Sequence, residues 1–226
     1  MIIGGDTHGN LSPCGCTKPM SGGIRRRIAL MKQLASGKNA ALVENGGLVT
    51  GAGLQDQLKA EALSEAFARA GFSAVHLGYS ESKLGAGGVS SMLNLLGNSG
   101  LASTIGEGGR LNLQRVIVKR PFAIAALDMN SVEVSSQLGE PNRSPTAAID
   151  ELLEVADAEE LIPVLLFQGG FEAAKQLPKV GQLKVVVFSS TGAPNPKPIT
   201  VGKTLFVSPG EKGKSVVSMS FSAAEY

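Results

Sequence analysis

The chain has 226 residues and a mass of 23.2 kDa, a length that favours one domain with a sizeable core. Its formal charge of +2 and aromatic content of 4%, with no tryptophan, lack the basic surplus and the stacking side chains typical of a nucleic-acid-binding protein. No apolar run approaches the roughly 20 residues of a membrane-spanning helix. Met1 is followed at once by a predicted strand, so we expect no signal peptide in the sequence as written, which leaves the compartment open.

The first half of the chain alternates apolar runs with segments of helical periodicity. Short apolar runs that end in glycine indicate buried strands, and apolar residues that recur every three to four positions indicate helices. The resulting order of elements predicts parallel strands joined by right-handed crossovers. These elements are strands at 1–5, 40–47 and 73–78 and helices at 24–35 and 58–70.

The second half combines further strands with one strongly marked helix. Residues 85–110 are rich in glycine and serine, with a short helix predicted around Ser90–Leu96, and a polar loop is predicted over 131–145. Ser144 and Pro145 suit the N-cap and the first position of the next helix. The predicted strands lie at 114–120, 122–128, 161–170 and 183–190, a short helix lies between the last two, and antiparallel strands form the tail.

The segment "GGDTHGNLSPCGC" (4–16) holds four side chains that bind metals: Asp6, His8, Cys14 and Cys16. An aspartate and a histidine on alternate residues of an extended segment can turn toward one ion, although this pair alone is a weak signal. In an open α/β sheet the ligand site lies beyond the carboxyl ends of the strands. The later strand ends contribute three weaker binding candidates, which could equally be polar residues at a rim: Glu44, Asn45 and Glu81.

Taken in order, these motifs resemble the N-terminal metal-binding domain of 5′-nucleotidases, within the calcineurin-like metallophosphoesterase superfamily. "DTHGNLSPCGC" and "SGGIRRRIALMKQL" are similar to the first motif and first helix of a subgroup that carries a P-C-G-C loop. "ALVENGGLVTG", "GFSAVHLGYSES" and "PITVGKTLFVSPGEKGKSV" stand where that family has its later motifs and closing segment. The resemblance implies one domain over 1–226 with a four-layer α/β/β/α sandwich of two mixed sheets.

The same resemblance implies that most of the family's metal ligands are missing. Asp6 and His8 match the first-motif ligands, but the bridging aspartate falls on Gly47, and the asparagine and histidine of the third motif fall on Tyr79 and Ser80. The later histidines are also replaced, and the whole chain has two histidines. Hydrolysis with two metals needs a bridging carboxylate that holds the ions about 3.5–4 Å apart. We therefore expect the phosphoesterase reaction to be lost, with no cofactor or at most one divalent ion.

Three other features leave alternatives open. Cys14 and Cys16 could form a disulfide or structural clasp, bind a soft metal such as Cu(I) or Zn(II), or act in redox catalysis. His76 lies inside an apolar strand, where a hydrogen-bonded core histidine is favoured over a ligand. The arginines at 25–27 could bind an anion at a helix start, but salt-bridged and solvated arginines are favoured.

The predicted function is that of a catalytically degenerate metallophosphoesterase-like domain, an accessory or interaction subunit with a protein partner. The resemblance to exported proteins implies an extracytoplasmic position, periplasmic or at the cell surface, in an extracytoplasmic or membrane-associated complex. One alternative is a divergent phosphoesterase or 5′-nucleotidase that uses Asp6 and His8 with Glu44 or Glu81. The other is a metal-binding or redox module centred on the C-x-C loop.

Overall fold

Two mixed β-sheets form the centre of the molecule, and helices cover the outer face of each. The structure, a computed structural model, describes residues 1–13, 20–190 and 197–221. One apolar cluster fills the space between the sheets and draws side chains from both. A second cluster packs helices onto the first sheet, and a third packs helices onto the second sheet. The predicted α/β/β/α fold of two mixed sheets is confirmed.

The described residues form eleven strands and seven α-helices. The strands are β1 (Ile2–Gly4), β2 (Leu42–Glu44), β3 (Ala74–His76), β4 (Gly100–Leu101), β5 (Val116–Lys119), β6 (Phe122–Asp128), β7 (Ile162–Gln168), β8 (Val185–Phe188), β9 (Ile199–Val201), β10 (Thr204–Val207) and β11 (Val217–Ser218). The helices are α1 (Ile24–Ala35), α2 (Leu54–Ala70), α3 (Tyr79–Ser82), α4 (Gly85–Leu96), α5 (Ser131–Leu138), α6 (Pro145–Ala158) and α7 (Phe171–Lys175). Among these residues, no helix is long and apolar enough to cross a membrane.

The strand order brings the carboxyl ends of the two sheets to one edge of the sandwich. The first sheet has the order β11–β1–β2–β3–β4, in which β1 to β4 are parallel and β11 is antiparallel to β1. The second has the order β5–β6–β7–β8–β10–β9, with β5 and β9 antiparallel to their neighbours. Asn45 donates from its side chain to the carbonyl of Phe167 at 3.3 Å, so the end of β2 meets the end of β7.

Local signals explain the best-marked helix, α6. The hydroxyl of Ser144 accepts a hydrogen bond from the backbone N–H of Ala147 at 3.2 Å, and Pro145 occupies the first helical position. One face of the helix buries apolar side chains against the second sheet: Ala148, Ile149, Leu152 and Ala156. The sequence prediction of this helix is confirmed.

Several other boundaries differ from the sequence prediction. The polar loop predicted over 131–145 is wrong in its first part, where α5 forms because Val134 and Leu138, one turn apart, are both buried in the cluster on the first sheet. The helix predicted around Ser90–Leu96 begins at Gly85, since Val89 belongs to the same buried face. The helix predicted from residue 58 begins at 54, and α3 and β4 were not predicted.

Candidate functional site

An open groove of about 530 Å³ lies where the strand ends of the two sheets meet. Asp6 and His8 follow β1 and line one side of it, while Gln168 at the end of β7 and Ser189 after β8 line the other. Phe171 adds an apolar wall. The two first-motif residues that the sequence singled out therefore share one concave surface.

Asp6 is held in a strained, buried position. Its backbone is left-handed, with φ of 47°, and its N–H donates to the carbonyl of Gly46 at 2.8 Å. The hydroxyl of Ser189 donates to Oδ1 at 3.1 Å, whereas Oδ2 has no partner in the described part of the chain. Burial raises the pKa of Asp6 to about 7, although the Ser189 hydrogen bond opposes this shift. Near neutral pH the carboxyl group is therefore a mixture of neutral and ionised forms.

Gly47 lies directly against Asp6 and leaves no room for a side chain. A Cβ atom added to Gly47 would stand 2.6 Å from Oδ1 of Asp6 and 2.9 Å from its Cα. The φ angle of Gly47 is also +66°, which side-chain-bearing residues rarely adopt. The position that the resemblance assigns to a bridging aspartate is thus closed by the carboxyl group of Asp6 itself.

His8 lies at the rim of the groove and is half-buried. Its backbone is left-handed, with φ of 51°, and its N–H donates to the carbonyl of Gly47 at 2.7 Å. Burial lowers the pKa of His8, so the imidazole is neutral near pH 7. A neutral imidazole can accept a hydrogen bond or bind a metal ion.

Glu44 is buried and paired, so the expectation that it lies at a rim is wrong. It is fully buried, and its Oε1 accepts hydrogen bonds from the hydroxyl of Thr7 at 2.8 Å and from Nη1 of Arg27 at 3.1 Å. Burial raises the pKa of Glu44, although the attraction of Arg27 opposes this shift.

The three successive arginines lie in different environments. Arg27 is paired with Glu44, whereas Arg25 and Arg26 are exposed. This agrees with the prediction that the successive arginines are partly salt-bridged and partly solvated.

Asn45 and Glu81 are also fully buried, which corrects the same expectation. Both oxygens of Glu81 are used: Oε1 accepts from the N–H of Leu48 at 2.6 Å, and Oε2 accepts from the N–H of Gly78 at 2.9 Å. The side chain joins the turn after β2 to the turn after β3. These contacts serve the backbone and explain why a carboxylate is buried at this place.

A buried pair of a histidine and an aspartate lies beside these turns, and the sequence pattern indicated the histidine. Nε2 of His76 is 3.0 Å from Oδ2 of Asp128, and Oδ1 of Asp128 accepts the N–H of Tyr79 at 2.8 Å. Burial lowers the pKa of His76, but the charge and hydrogen bond of Asp128 outweigh it, so the net shift is upward. The prediction of a hydrogen-bonded core histidine is confirmed. Asp128 was missed, although its place at a strand end was the available signal.

The described acidic and histidine side chains do not fit a two-metal centre. Within residues 1–13, 20–190 and 197–221, no group of three or more His, Cys, Asp or Glu side chains is placed to hold a metal ion. Cys14 and Cys16 lie outside the described residues, so their disulfide, metal and redox alternatives stay predictions. Asp6 and His8 remain candidate ligands that share a groove.

Solved structures with the same fold were found, but no protein-family model and no curated protein matches the sequence. A 5′-nucleotidase precursor from Thermus thermophilus is 21% identical with a TM-score of 0.74, and the match covers 95% of this chain and 49% of that one. For the sulfate thiohydrolase SoxB from Thermus thermophilus the values are 19%, 0.73, 95% and 52%. For the NAD nucleotidase of Haemophilus influenzae they are 18%, 0.73, 94% and 45%.

This chain spans about half the length of each of these three proteins. At such low identity the similarity shows the fold alone. The fold is that of metallophosphoesterase domains such as those of 5′-nucleotidases, as the resemblance implied. The narrower assignment to a subgroup with a P-C-G-C loop stays a prediction.

Proposed function

We propose that this chain is a catalytically degenerate metallophosphoesterase-like domain that serves as an accessory or interaction subunit. The observation that carries the proposal is the contact between Gly47 and Asp6. Two-metal hydrolysis needs a carboxylate that bridges both ions. Here the carboxyl group of Asp6 lies 2.6 Å from where a side chain at Gly47 would begin, so the bridging group is absent and its space is filled.

The internal pairing of the neighbouring carboxylates supports the same proposal. Glu44 is paired with Arg27, Glu81 with backbone N–H groups, and Asp128 with His76. Buried carboxylates are strongly unfavourable unless a cation or hydrogen-bond donors compensate them. Protein groups therefore compensate these three carboxylates at least in part, which leaves Asp6 as the carboxylate of the groove without a cationic partner among the described residues.

The role as an interaction subunit is supported by exposed apolar side chains at the starts of α2 and α5. Leu54 and Leu58 are 73% and 57% exposed, and Met129 and Val132 are 63% and 68% exposed. Leu54 and Leu58 belong to α2, and Met129 and Val132 lie at the start of α5, shortly after β6 ends. Exposed apolar side chains of this kind are compatible with contact to a protein partner. The extracytoplasmic position is part of this proposal and rests on the resemblance to exported proteins.

The proposal is tested by metal binding and hydrolysis on protein purified without chelators. We expect no stoichiometric binding of Mn²⁺ or Zn²⁺ by calorimetry, and no hydrolysis of AMP or bis(p-nitrophenyl) phosphate above the rate in buffer. The Thermus thermophilus 5′-nucleotidase in the same assay is the positive control. Turnover or bound metal that disappears in Asp6→Asn would refute the proposal.

A divergent metal-dependent phosphoesterase is the second candidate, because Asp6 and His8 line one open groove. The same experiment separates it from the first, since only this candidate predicts turnover that Asp6→Asn and His8→Ala both abolish. The third candidate, a module built on Cys14 and Cys16, predicts copper or zinc that Asp6→Asn retains. That metal would be lost in Cys14→Ser/Cys16→Ser.

A further inference from the structure

We propose that a pocket beside α1 binds a phosphate-type oxoanion, at a site separate from the groove of Asp6. This basic pocket has a volume of about 160 Å³ and lies between α1 and the loop before β11. Three cationic side chains line it, Arg26, Arg27 and Lys214, together with Ser21 and Ser215. No acidic side chain is among the described residues that form its wall. The composition matches the donors and charge that phosphate groups require.

Arg27 at the base of this pocket has donors that lack acceptors. Its side chain is 2% exposed, Nη1 donates to Glu44 at 3.1 Å, and the guanidinium carbon lies 5.5 Å from the centre of the Phe67 ring. Nε and Nη2 have no hydrogen-bond partner among the described residues. Buried charged donors without acceptors are costly and uncommon. Gly213 lies over the guanidinium group of Arg27. After a small movement of Gly213, an anion in the pocket would provide acceptor oxygens for these donors.

The first turn of α1 brings no acidic side chain near the pocket. The first turn contains no acidic residue, and the N–H of Ile24 donates to the carbonyl of Leu11 at 3.1 Å. Arg26 is oriented by a hydrogen bond from Nη1 to the carbonyl of Met20 at 2.9 Å. The acidic residue of the neighbouring loop, Glu211, pairs with Lys212 at 3.3 Å rather than with Lys214.

The residues at the rim of the pocket indicate which kind of ligand carries the phosphoryl group. Met20 and Leu30 line the pocket and are 47% and 43% exposed. Charged groups beside exposed apolar side chains suit a phosphoryl group that carries an apolar substituent, such as the headgroup of an anionic lipid. Free phosphate has the same recognition chemistry. The pocket therefore selects the oxoanion, and experiment must identify its source.

Titration with inorganic phosphate at low ionic strength tests the site, with isothermal calorimetry as the readout. We expect saturable binding with one site per chain. Arg26→Gln and Lys214→Gln each remove one exposed cation and should weaken binding about three- to tenfold. Arg25→Gln is the matched control. It removes the same charge from the neighbouring residue, whose exposed side chain does not line this pocket. Arg27 is left intact because it also pairs with Glu44.

Flotation with lipid vesicles separates the two sources. Binding to phosphatidylcholine vesicles only when they contain phosphatidic acid, with loss in Arg26→Gln/Lys214→Gln but not in Arg25→Gln, would identify a lipid headgroup. Phosphate binding without vesicle binding would identify a free anion. The proposal is overturned if neither ligand binds, or if Arg25→Gln weakens binding as much as the pocket variants do, which would indicate diffuse attraction only. None of these outcomes bears on the degenerate groove at Asp6.

Discussion

At the scale of single residues, the buried carboxylates of Glu44 and Asp6 have different neighbours. Glu44 has the guanidinium of Arg27 at 3.1 Å and the hydroxyl of Thr7 at 2.8 Å. Asp6 has only the hydroxyl of Ser189, at 3.1 Å, and no cation in the described part of the chain. Each carboxylate also has one oxygen without a partner in the described residues. Because Asp6 lacks a cation at its side, the proton is its main means of reducing the penalty of burial.

Asp6 should therefore make the protein less stable as the pH rises. Its pKa is about 7 in the folded chain and near its ordinary value of 3.8 in the unfolded chain, so between these values the folded state binds the extra proton. The contribution of Asp6 falls as pH rises through this window, by about 1–4 kcal/mol in total.

Urea unfolding of wild type and Asp6→Asn at several pH values, with a chelator present, checks this prediction. The free energy of unfolding of wild type relative to Asp6→Asn should fall between pH 4 and pH 7 and then level off. Taking the difference between the two proteins cancels the titration of His8 and His76. A difference that does not change with pH would contradict the prediction.

The sequence predicted those site residues whose motif is local in the chain, and it missed the contacts made by residues far apart in the chain. Asp6 and His8 follow one strand in a recognisable motif, and the structure places both in the groove. Glu44 and Asp128 have partners far along the chain, Arg27 and His76, which lie 17 and 52 residues away. Whether such a carboxylate is exposed or internally paired depends on packing between elements, which no local pattern contains.

At the scale of elements, the same distinction separates α6 from α5. The cap at Ser144, the proline after it and the periodic apolar face identify α6 from sequence alone. α5 contains three serines in eight residues and forms because two of its residues are buried against the helices of the first sheet. β4 is two residues long and exists because β3 pairs with it. Tertiary contacts define these elements, and they override weak local propensity.

The N-cap of α6 gives an element-scale prediction. Ser144→Ala removes the acceptor for the N–H of Ala147 and should lower the free energy of unfolding by about 1 kcal/mol. Ser144→Asp, which can cap in the same way, should retain most of the wild-type stability. Urea unfolding followed by circular dichroism measures both, and equal losses in the two variants would contradict the assigned cap.

At the scale of the whole molecule, the two sheets depend on one shared apolar layer. Ile3 and Val43 from the first sheet and Val164 and Leu166 from the second are completely buried in it. The chain also returns from β10 in the second sheet to β11 in the first. The sequence predicts a single domain, and the shared apolar layer leads us to expect that neither sheet unfolds without the other.

Leu166→Ala tests that cooperativity. It removes a fully buried side chain from the shared layer and should lower global stability by about 2–5 kcal/mol. Native-state hydrogen exchange should show the same loss at Val75 in β3 and at Leu165 in β7. Val201→Ala, at a position on the edge strand β9 that is 44% exposed, is the control and should change stability little. Loss confined to the second sheet would indicate two independently folding units.

The contact between Gly47 and Asp6 also limits how this sequence could change by mutation. An aspartate introduced at position 47 would start 2.6 Å from the existing carboxyl oxygen and would need a backbone angle of +66°. It could be accommodated only if Asp6 moved away from Ser189 and the glycine turn rearranged as well. Gly47→Asp alone should therefore lower the stability of the folded chain, because it would disturb the contact between Asp6 and Ser189. A bridging carboxylate at this place would thus need compensating changes at Asp6 and in the glycine turn, besides the substitution of Gly47 itself.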